Sequence, residues 1–449
     1  WAWDHPTRSH KRFVDLHVAD NEDNRPMFLP GELGWWALKN WSGPQGERTF
    51  ADDIEYLMTK GLATNTGFAL MGIDPTTAKT VPALPRLGAI VKRYEDLRHS
   101  GQVSAALAEQ LRQPGAEFTL LGNVASRWRF VPVDYAKHRV DQGSGPSATW
   151  RTTNKFAAQP VRLRIEALMA AGPYDAAANL TLANFQSTDE FSQQAVSPGV
   201  TVELTTATEP AQAGTASGCY SATNNGSTPT AAWTMMARPF TPPNNLSAHQ
   251  ALGVWIHGDG QGEILNFQLR SPEHLVGNLA DHYVPIDFTG WRYVELIEPE
   301  GARWSDYQWP YGNRYAIYRE SIQHGQISSL GVWYTNLPQG KQVTCYLSPV
   351  KALPLAATKL INPSVRVGDA QLTFPVEIDS GCYLEFNSLD DCRLYGPQGE
   401  LIRTVSPTGP VPQLAFGENS LAFRCDSPPG IRARAYVTVI TQGEPLQSD

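Results

Sequence analysis

Between Pro26 and Leu38 the chain reads PMFLPGELGWWAL, which sets one carboxylate, Glu32, at the end of a short apolar run, flanked by Gly31 and Gly34 and followed by Trp35 and Trp36. That combination suits sugar chemistry. A glycosidase uses a carboxylate as nucleophile or general acid/base beside an oxocarbenium-like transition state, and an indole face takes the C–H face of a sugar ring while its N–H still finds a partner. The competing reading is a buried strand whose glutamate is satisfied by a neighbouring arginine. Asp4 and His5, at the end of the apolar strand that opens the chain, could hydrogen-bond a sugar hydroxyl, tune Glu32, or cap a strand end. Trp35, Trp36 and Trp41 could floor a subsite, although alternation along a strand sends one of the first two into the core. Residues 304–311, WSDYQWPY, gather Trp304, Tyr307, Trp309 and Tyr311 in a loop-like stretch that suits stacking on sugar rings or capping a sheet edge. His10, Asp15 and His17 lack the HxxxH or HExxH spacing that sets two metal ligands on one helical face. Asp52, Asp53 and Glu55 fit a helix start, where negative charge meets the positive end of the dipole.

The elements that must position these residues fall into distinct regions. Up to about residue 112, strand and helix alternate. A strand at Trp1–His5 precedes a helix over Ser9–Asn21, and a strand at Met27–Leu33 puts Glu32 at its carboxyl end. Thr49, three residues before Asp52, opens a helix with Ile54, Leu57, Met58 and Leu62 on one face. A strand over Gly67–Ile73 and a helix carrying Leu84, Leu87, Val91, Tyr94 and Leu97 complete a β-α-β-α-β-α order, the pattern of parallel-sheet units. From about residue 116 the period changes to two, with short strands joined by Gly/Ser/Pro turns. We expect a small β unit over 116–178, a two-sheet jelly roll over 179–352, a linker at Pro349–Pro363, and an immunoglobulin-like sandwich over 364–443. The fold class is thus multidomain, α/β followed by all-β. Three parallel strands leave an open edge and one bare sheet face, so the first 112 residues are not expected to close a fold by themselves.

Composition narrows the function. With 449 residues and a net charge of −8, and with Lys and Arg scattered, the chain offers no basic stripe for a nucleic acid. No apolar run approaches the roughly 20 residues that span a bilayer, and no charged-then-apolar leader is present. Few charges and many Trp, Tyr, Gly, Pro, Thr and Asn suit an exported β-rich protein that meets neutral polymers. Cys219, Cys345, Cys382, Cys392 and Cys425 form no CxxC, and Cys382 could pair with Cys392 or Cys425 in an oxidising compartment. The chain opens at Trp1 and its first methionine is Met27, so the sequence reads as processed, truncated or partial.

Two stretches resemble known families. The strand and helix order of residues 1–115, with a glutamate assigned to a strand end and the helix pattern Ile90–Arg98, resembles the closing third of a (β/α)8 glycoside hydrolase. That resemblance implies that Glu32 takes the nucleophile position at the end of a seventh strand, with Asp4-His5 ending the sixth. It also implies that the rest of the barrel, with its acid/base, comes from preceding residues or a companion chain, since a barrel takes about 250 residues. The segments Leu252–Gly260, Leu265–Arg270 and Ile286–Arg292 (LGVWIHGDG, LNFQLR, IDFTGWR) resemble the jelly-roll carbohydrate-binding modules of secreted polysaccharide hydrolases. Many such modules hold a structural calcium, for which Asp189 and Glu190 are the available acids.

These features point to a secreted glycoside hydrolase that acts on a polysaccharide by carboxylate acid/base, retaining hydrolysis, with no organic cofactor and Glu32 and Asp4 as catalytic candidates. The rival is a non-catalytic glycan-binding or surface-assembly protein with a degenerate barrel. A polysaccharide lyase would need a Tyr or His base beside an Arg or Lys for the uronate, an arrangement the chain does not suggest.

Overall fold

The computed structural model describes residues 3–27, 31–41, 43, 47–141, 148–227, 232–272, 279–299, 322–429 and 431–446. They group into two compact units, one made of Trp1–Ala170 with Ala357–Asp449 and the other of Ala171–Ala356.

The first unit begins with β1 (Trp3–Asp4), β2 (Glu32–Ala37) and β3 (Gly67–Met71), parallel and in that spatial order. Helix α1 (Lys11–Asn24) joins β1 to β2 and α2 (Ala51–Thr64) joins β2 to β3. The short α3 (Thr77–Thr80), α4 (Leu84–Ser100) and α5 (Ala105–Arg112) come next. Phe50, rather than Thr49, is the N-cap of α2. Its N–H donates to Asp53 Oδ2 at 2.8 Å, one arm of a capping box, while Thr49 Oγ1 accepts from Lys39 N at 3.0 Å. The helix ends where Asn65 turns left-handed at φ 49°. The expected apolar stripes form: Ile54, Met58 and Leu62 of α2 meet Leu87, Ile90, Tyr94 and Leu97 of α4. The same core takes in Phe118, Leu120 and Phe130 from β4 (Glu117–Leu121) and β5 (Arg129–Val140), so residues 1–112 share their core with these two strands. The described residues form a three-stranded parallel sheet and not a closed (β/α)8 barrel.

The strands after residue 116 divide the chain differently from the expected boundaries. After β6 (Thr149–Asn154) and the short β7 (Gln159–Pro160) comes β8 (Arg162–Ala167), which lies between Tyr383–Ser388 and Ala435–Gln442 in a seven-stranded sheet. β6 pairs with Gly417–Asp426 in a five-stranded sheet. The segments expected as a small β unit (116–178) and as a separate sandwich (364–443) therefore build one sandwich. Its core joins Leu163 and Ile165 to Leu360, Phe374, Phe386, Val437 and Val439. The correction has a simple cause: each segment alone shows only half of each sheet, and periodicity records strands, not their partners. The expected linker holds the strand Val350–Leu353 and the start of Lys359–Val367. All five cysteines are free thiols, and burial pushes Cys392 and Cys425 up to about 12.

The second unit is an antiparallel two-sheet sandwich. A seven-stranded sheet contains Val200–Ala207, Ser217–Asn224, Ala251–Asp259, Thr289–Leu296 and Gln342–Leu347. A five-stranded sheet has the order Gln193–Val196, Thr234–Asn244, Ile327–Thr335, Ile264–Arg270, Leu279–Pro285. Alternate residues such as Leu252, Val254, Ile256, Leu265, Phe267, Leu330 and Val332 fill the space between the sheets.

A buried ion network fastens the helical layer of the first unit to its sandwich. Asp52 accepts from Arg8 and from Arg164 of β8, each at 2.6 Å, with the Asp52 and Arg164 side chains 3% and 4% exposed. Arg8 also meets Glu117 at 3.0 Å, Lys11 pairs with Glu117, and the Arg164 guanidinium lies 3.5 Å over the Phe50 ring. Burial alone would raise the Asp52 carboxyl, but Arg164 and Arg8 outweigh it and hold it well below the usual range. Asp53 is placed differently: burial, then the Asp52 charge, push it up to about 8.

This network can be tested in two ways. Arg164→Ala should lower unfolding free energy by about 3 kcal/mol or more in denaturant titration, because it strands the buried Asp52 charge. The folded state holds the Asp53 proton to about pH 8 and the unfolded chain releases it near 3.8, so this group's contribution falls as pH rises across that window. The depressed Asp52 acts only below its unfolded value. Asp53→Asn should therefore raise the melting temperature at pH 8 by several degrees, with the gain vanishing toward pH 4.

Candidate functional site

Glu32 opens a strand instead of closing one. β2 starts at Glu32, which pairs with Gly67 at the start of β3, while Asp4 at the carboxyl end of β1 pairs with Trp36. Leu33 and Trp36, 1% and 0% exposed, supply the buried side of this strand, so the segment that makes it is ELGWWA and not the expected Met27–Leu33. Four residues of extended chain, about 13 Å, thus separate the Glu32 level from the Asp4 level. Barrel active sites are built at the carboxyl ends of strands, and Glu32 sits at the amino end. The nucleophile assignment, and its pairing with Asp4 at one mouth, lose their geometric ground.

The remaining candidates separate in the same way. His5 does reach the carboxyl end, with Nδ1 2.9 Å from the Ala37 carbonyl oxygen. Trp36 is core: its Nε1 donates to Leu33 O at 3.0 Å and its ring meets Phe13 edge-on at 6.2 Å. Trp35 is 42% exposed. Trp41 is a packing residue. Its indole covers Gly381, where a Cβ would stand 2.6 Å from the ring, and its backbone N–H donates to Pro397 O at 3.3 Å. Asp15 accepts from Tyr56 Oη at 2.6 Å, and His17 stacks on Phe13 at 5.9 Å. Trp304, Tyr307, Trp309 and Tyr311 lie outside the described residues.

The two acids proposed for calcium do not fit it. Glu190 is ion-paired with Arg238 at 2.6 Å, and Asp189 accepts from Ser187 Oγ at 3.0 Å within an exposed turn. Calcium takes six to eight oxygen ligands. A guanidinium on one of two carboxylates works against that, and no cluster of three His, Cys, Asp or Glu occurs among the described residues.

The second unit holds a site that residue types alone did not reveal. On the five-stranded sheet, Leu265, Phe267 and Leu269 point into the core, so Asn266, Gln268 and Arg270 share the outer face. Register places Asn266 between Tyr283 and Trp333, and Gln268 between Asp281 and Gly331. Asp281 Oδ1 accepts from Asn266 Nδ2 at 2.8 Å and Gln268 Nε2 at 2.7 Å, and Arg270 Nε donates to Gln268 Oε1 at 3.0 Å. Gly331 is required here, because a Cβ would stand 2.9 Å from Trp333 Nε1 and lift the indole off the sheet. Trp233 lies 5.6 Å from Trp333, extending the aromatic end. Asn266, Gln268, Asp281, Tyr283 and Trp333 are buried, and the face meets solvent through half-buried Trp233, Met235 and Arg270. The result is a fixed row of amide, carboxylate and guanidinium groups ending in two indoles. The available signal was the alternation N-x-Q-x-R in a strand and D-x-Y in the next.

Trp36→Ala should cost about 3–5 kcal/mol in denaturant unfolding. Glu32→Gln, at an exposed strand start, should leave stability within about 0.5 kcal/mol and leave any glycosidase turnover unchanged.

No protein-family model matches the chain, and no curated protein sequence matches it. Among solved structures, it is similar to the family 11 carbohydrate-binding module of the cellulosomal cellulase Lic26A-Cel5E of Clostridium thermocellum, at 13% identity and TM-score 0.28, over 40% of this chain and 96% of that one. A family 11 module from the same organism in complex with a β-1,3-1,4-mixed-linked tetrasaccharide is similar at 15% identity and TM-score 0.26, over 44% of this chain and 98% of that one. An exo-β-agarase is similar at 10% identity and TM-score 0.25, over 39% of this chain and 24% of its own.

Proposed function

We propose that this chain binds a polysaccharide through its jelly-roll unit and forms part of an extracellular protein that degrades it. The observation that carries this reading is the outer face of the five-stranded sheet, where Trp233 and Trp333 adjoin the Asn266–Asp281–Gln268–Arg270 row. Sugars present apolar C–H faces and directional hydroxyls together, and a surface that joins the Trp233 indole to the Arg270 guanidinium complements both. The buried members fix the geometry, and the half-exposed Trp233 and Arg270 make the contact.

Hydrolysis is the second reading. It is favoured by three parallel strands in sequential order, with helices between them and their carboxyl ends on one side. In this reading the βα segment belongs to a (β/α)8 barrel completed by other strands, and its contribution comes from the β1 end, at Asp4 and His5, rather than from Glu32. Release of reducing ends by a protein containing this chain together with the completing strands, lost on Asp4→Asn, would establish it. Unchanged release would place the catalytic acids elsewhere.

For binding, native affinity gels cast with neutral polysaccharides should retard the chain. Trp233→Ala and Arg270→Ala should each weaken retention about tenfold, a loss of about 1.4 kcal/mol, with little change in melting temperature. Retention unchanged in both variants would remove this face as the site.

A further inference from the structure

We propose that the opposite face of the same jelly roll, the outer surface of its seven-stranded sheet, is a second contact surface for a neutral glycan chain. The inference rests on the glycan-binding reading above and adds to it a separate site. Leu252, Val254 and Ile256 point into the core, so Trp255 and His257, two residues apart, share the outer face. The neighbouring strand, Thr289–Leu296, is registered so that Tyr293 lies opposite Trp255 and Trp291 opposite His257. On the other side of His257 lies Tyr346. The rings touch: Trp255 and Tyr293 have centroids 5.3 Å apart, His257 and Trp291 5.4 Å, and His257 and Tyr346 5.8 Å. Five aromatic rings thus tile three adjacent strands, a span of about 10 Å across the sheet. All five are half-buried, neither sealed in the core nor fully exposed.

Packing alone does not account for this grid. Large apolar surface is ordinarily turned inward or covered, and contiguous aromatic exposure marks a contact surface. Charge selects the occupant. None of the five positions carries a carboxylate, ammonium or guanidinium, and the acid at the strand end, Asp259, is engaged by Gln261 and by Thr344 N at 2.8 Å. Farther along the sheet, Lys351 is registered with Gly253, and its ammonium donates to Tyr174 O at 3.1 Å. A neutral chain with apolar ring faces and hydroxyl rims suits such a surface, where an indole joins an apolar face to an N–H group. An acidic polymer would find no cation among these rings to pair with its charges. The surface is open and more than one ring wide, so it takes an extended chain. With the five-stranded face, it makes the unit bivalent.

The test is calorimetric titration of the full chain with cellohexaose, xylohexaose and agarohexaose, with an alginate hexamer as the acidic control. The expected result is two sites for at least one neutral hexamer, falling to one in Trp291→Ala and, independently, to one in Trp233→Ala, with no alginate binding. If circular dichroism shows Trp291→Ala to be unfolded, Tyr346→Ala, which removes only the ring at the end of the row, replaces it. One site lost in Trp233→Ala and untouched in Trp291→Ala or Tyr346→Ala would overturn the second surface while leaving the binding reading intact. One site lost only in Trp291→Ala or Tyr346→Ala would uphold this surface and overturn the five-stranded assignment. No binding of any neutral hexamer, or preferential binding of alginate, would overturn the proposal, and the former would remove the binding reading with it.

Discussion

The first unit depends on one carboxylate shared by two guanidiniums. Asp52 sits in the first turn of α2, and its two oxygens are taken by Arg8, which precedes α1, and by Arg164 in the middle of β8. A buried charge is tolerated only when its partners are fixed. The three residues therefore set where the helix starts, how it faces the sandwich, and which way the preceding loop enters. Arg48 extends the constraint, its Nη1 donating to Gly396 O at 3.3 Å and its guanidinium lying 4.8 Å over Tyr383. Apolar contacts give this junction its bulk, and the ion network gives it a single register.

The jelly roll shows the complementary strategy. Its interior is filled by a large hydrophobic cluster, and its polar row and its aromatic grid stand on the two outward faces of its sheets. On one, a hydrogen-bonded row of polar groups ends in two indoles. On the other, aromatic rings occupy directly opposed positions on neighbouring strands. Strand alternation separates these faces from the core without any change of backbone.

How much of this the sequence disclosed depends on whether the interaction is local. Helices α2 and α4 were legible because Ile54, Met58, Leu87 and Tyr94 repeat at helical spacing within a few turns. The jelly roll was legible from three strand segments in order. β2 was misplaced by five residues because MFLPGEL and ELGWWA are equally apolar, and only pairing with β1 and β3 selects the second. The chemistry moves with the strand, since a five-residue shift carries Glu32 from one end of the sheet to the other. Arg164 and Asp52 are 112 positions apart, and nothing in either neighbourhood announces the pair. The polar row on the five-stranded face stayed hidden because its members come from separate strands, each of which reads as ordinary alternation.

The placement of β8 also orders events during synthesis. Its neighbours in the sheet are Tyr383–Ser388 and Ala435–Gln442, while the paired strands of the jelly roll lie between Leu180 and Leu353. A chain emerging from the ribosome presents β8 first, then a complete set of jelly-roll partners, and only afterwards the strands that β8 needs. Domains form as units once their residues are available, so the inserted module finishes first and the host sandwich, begun earlier, finishes last. Until residue 388 is made, β8 exposes two unpaired edges with Leu163 and Ile165 uncovered, a liability carried across more than two hundred residues, and one edge stays unpaired until residue 442.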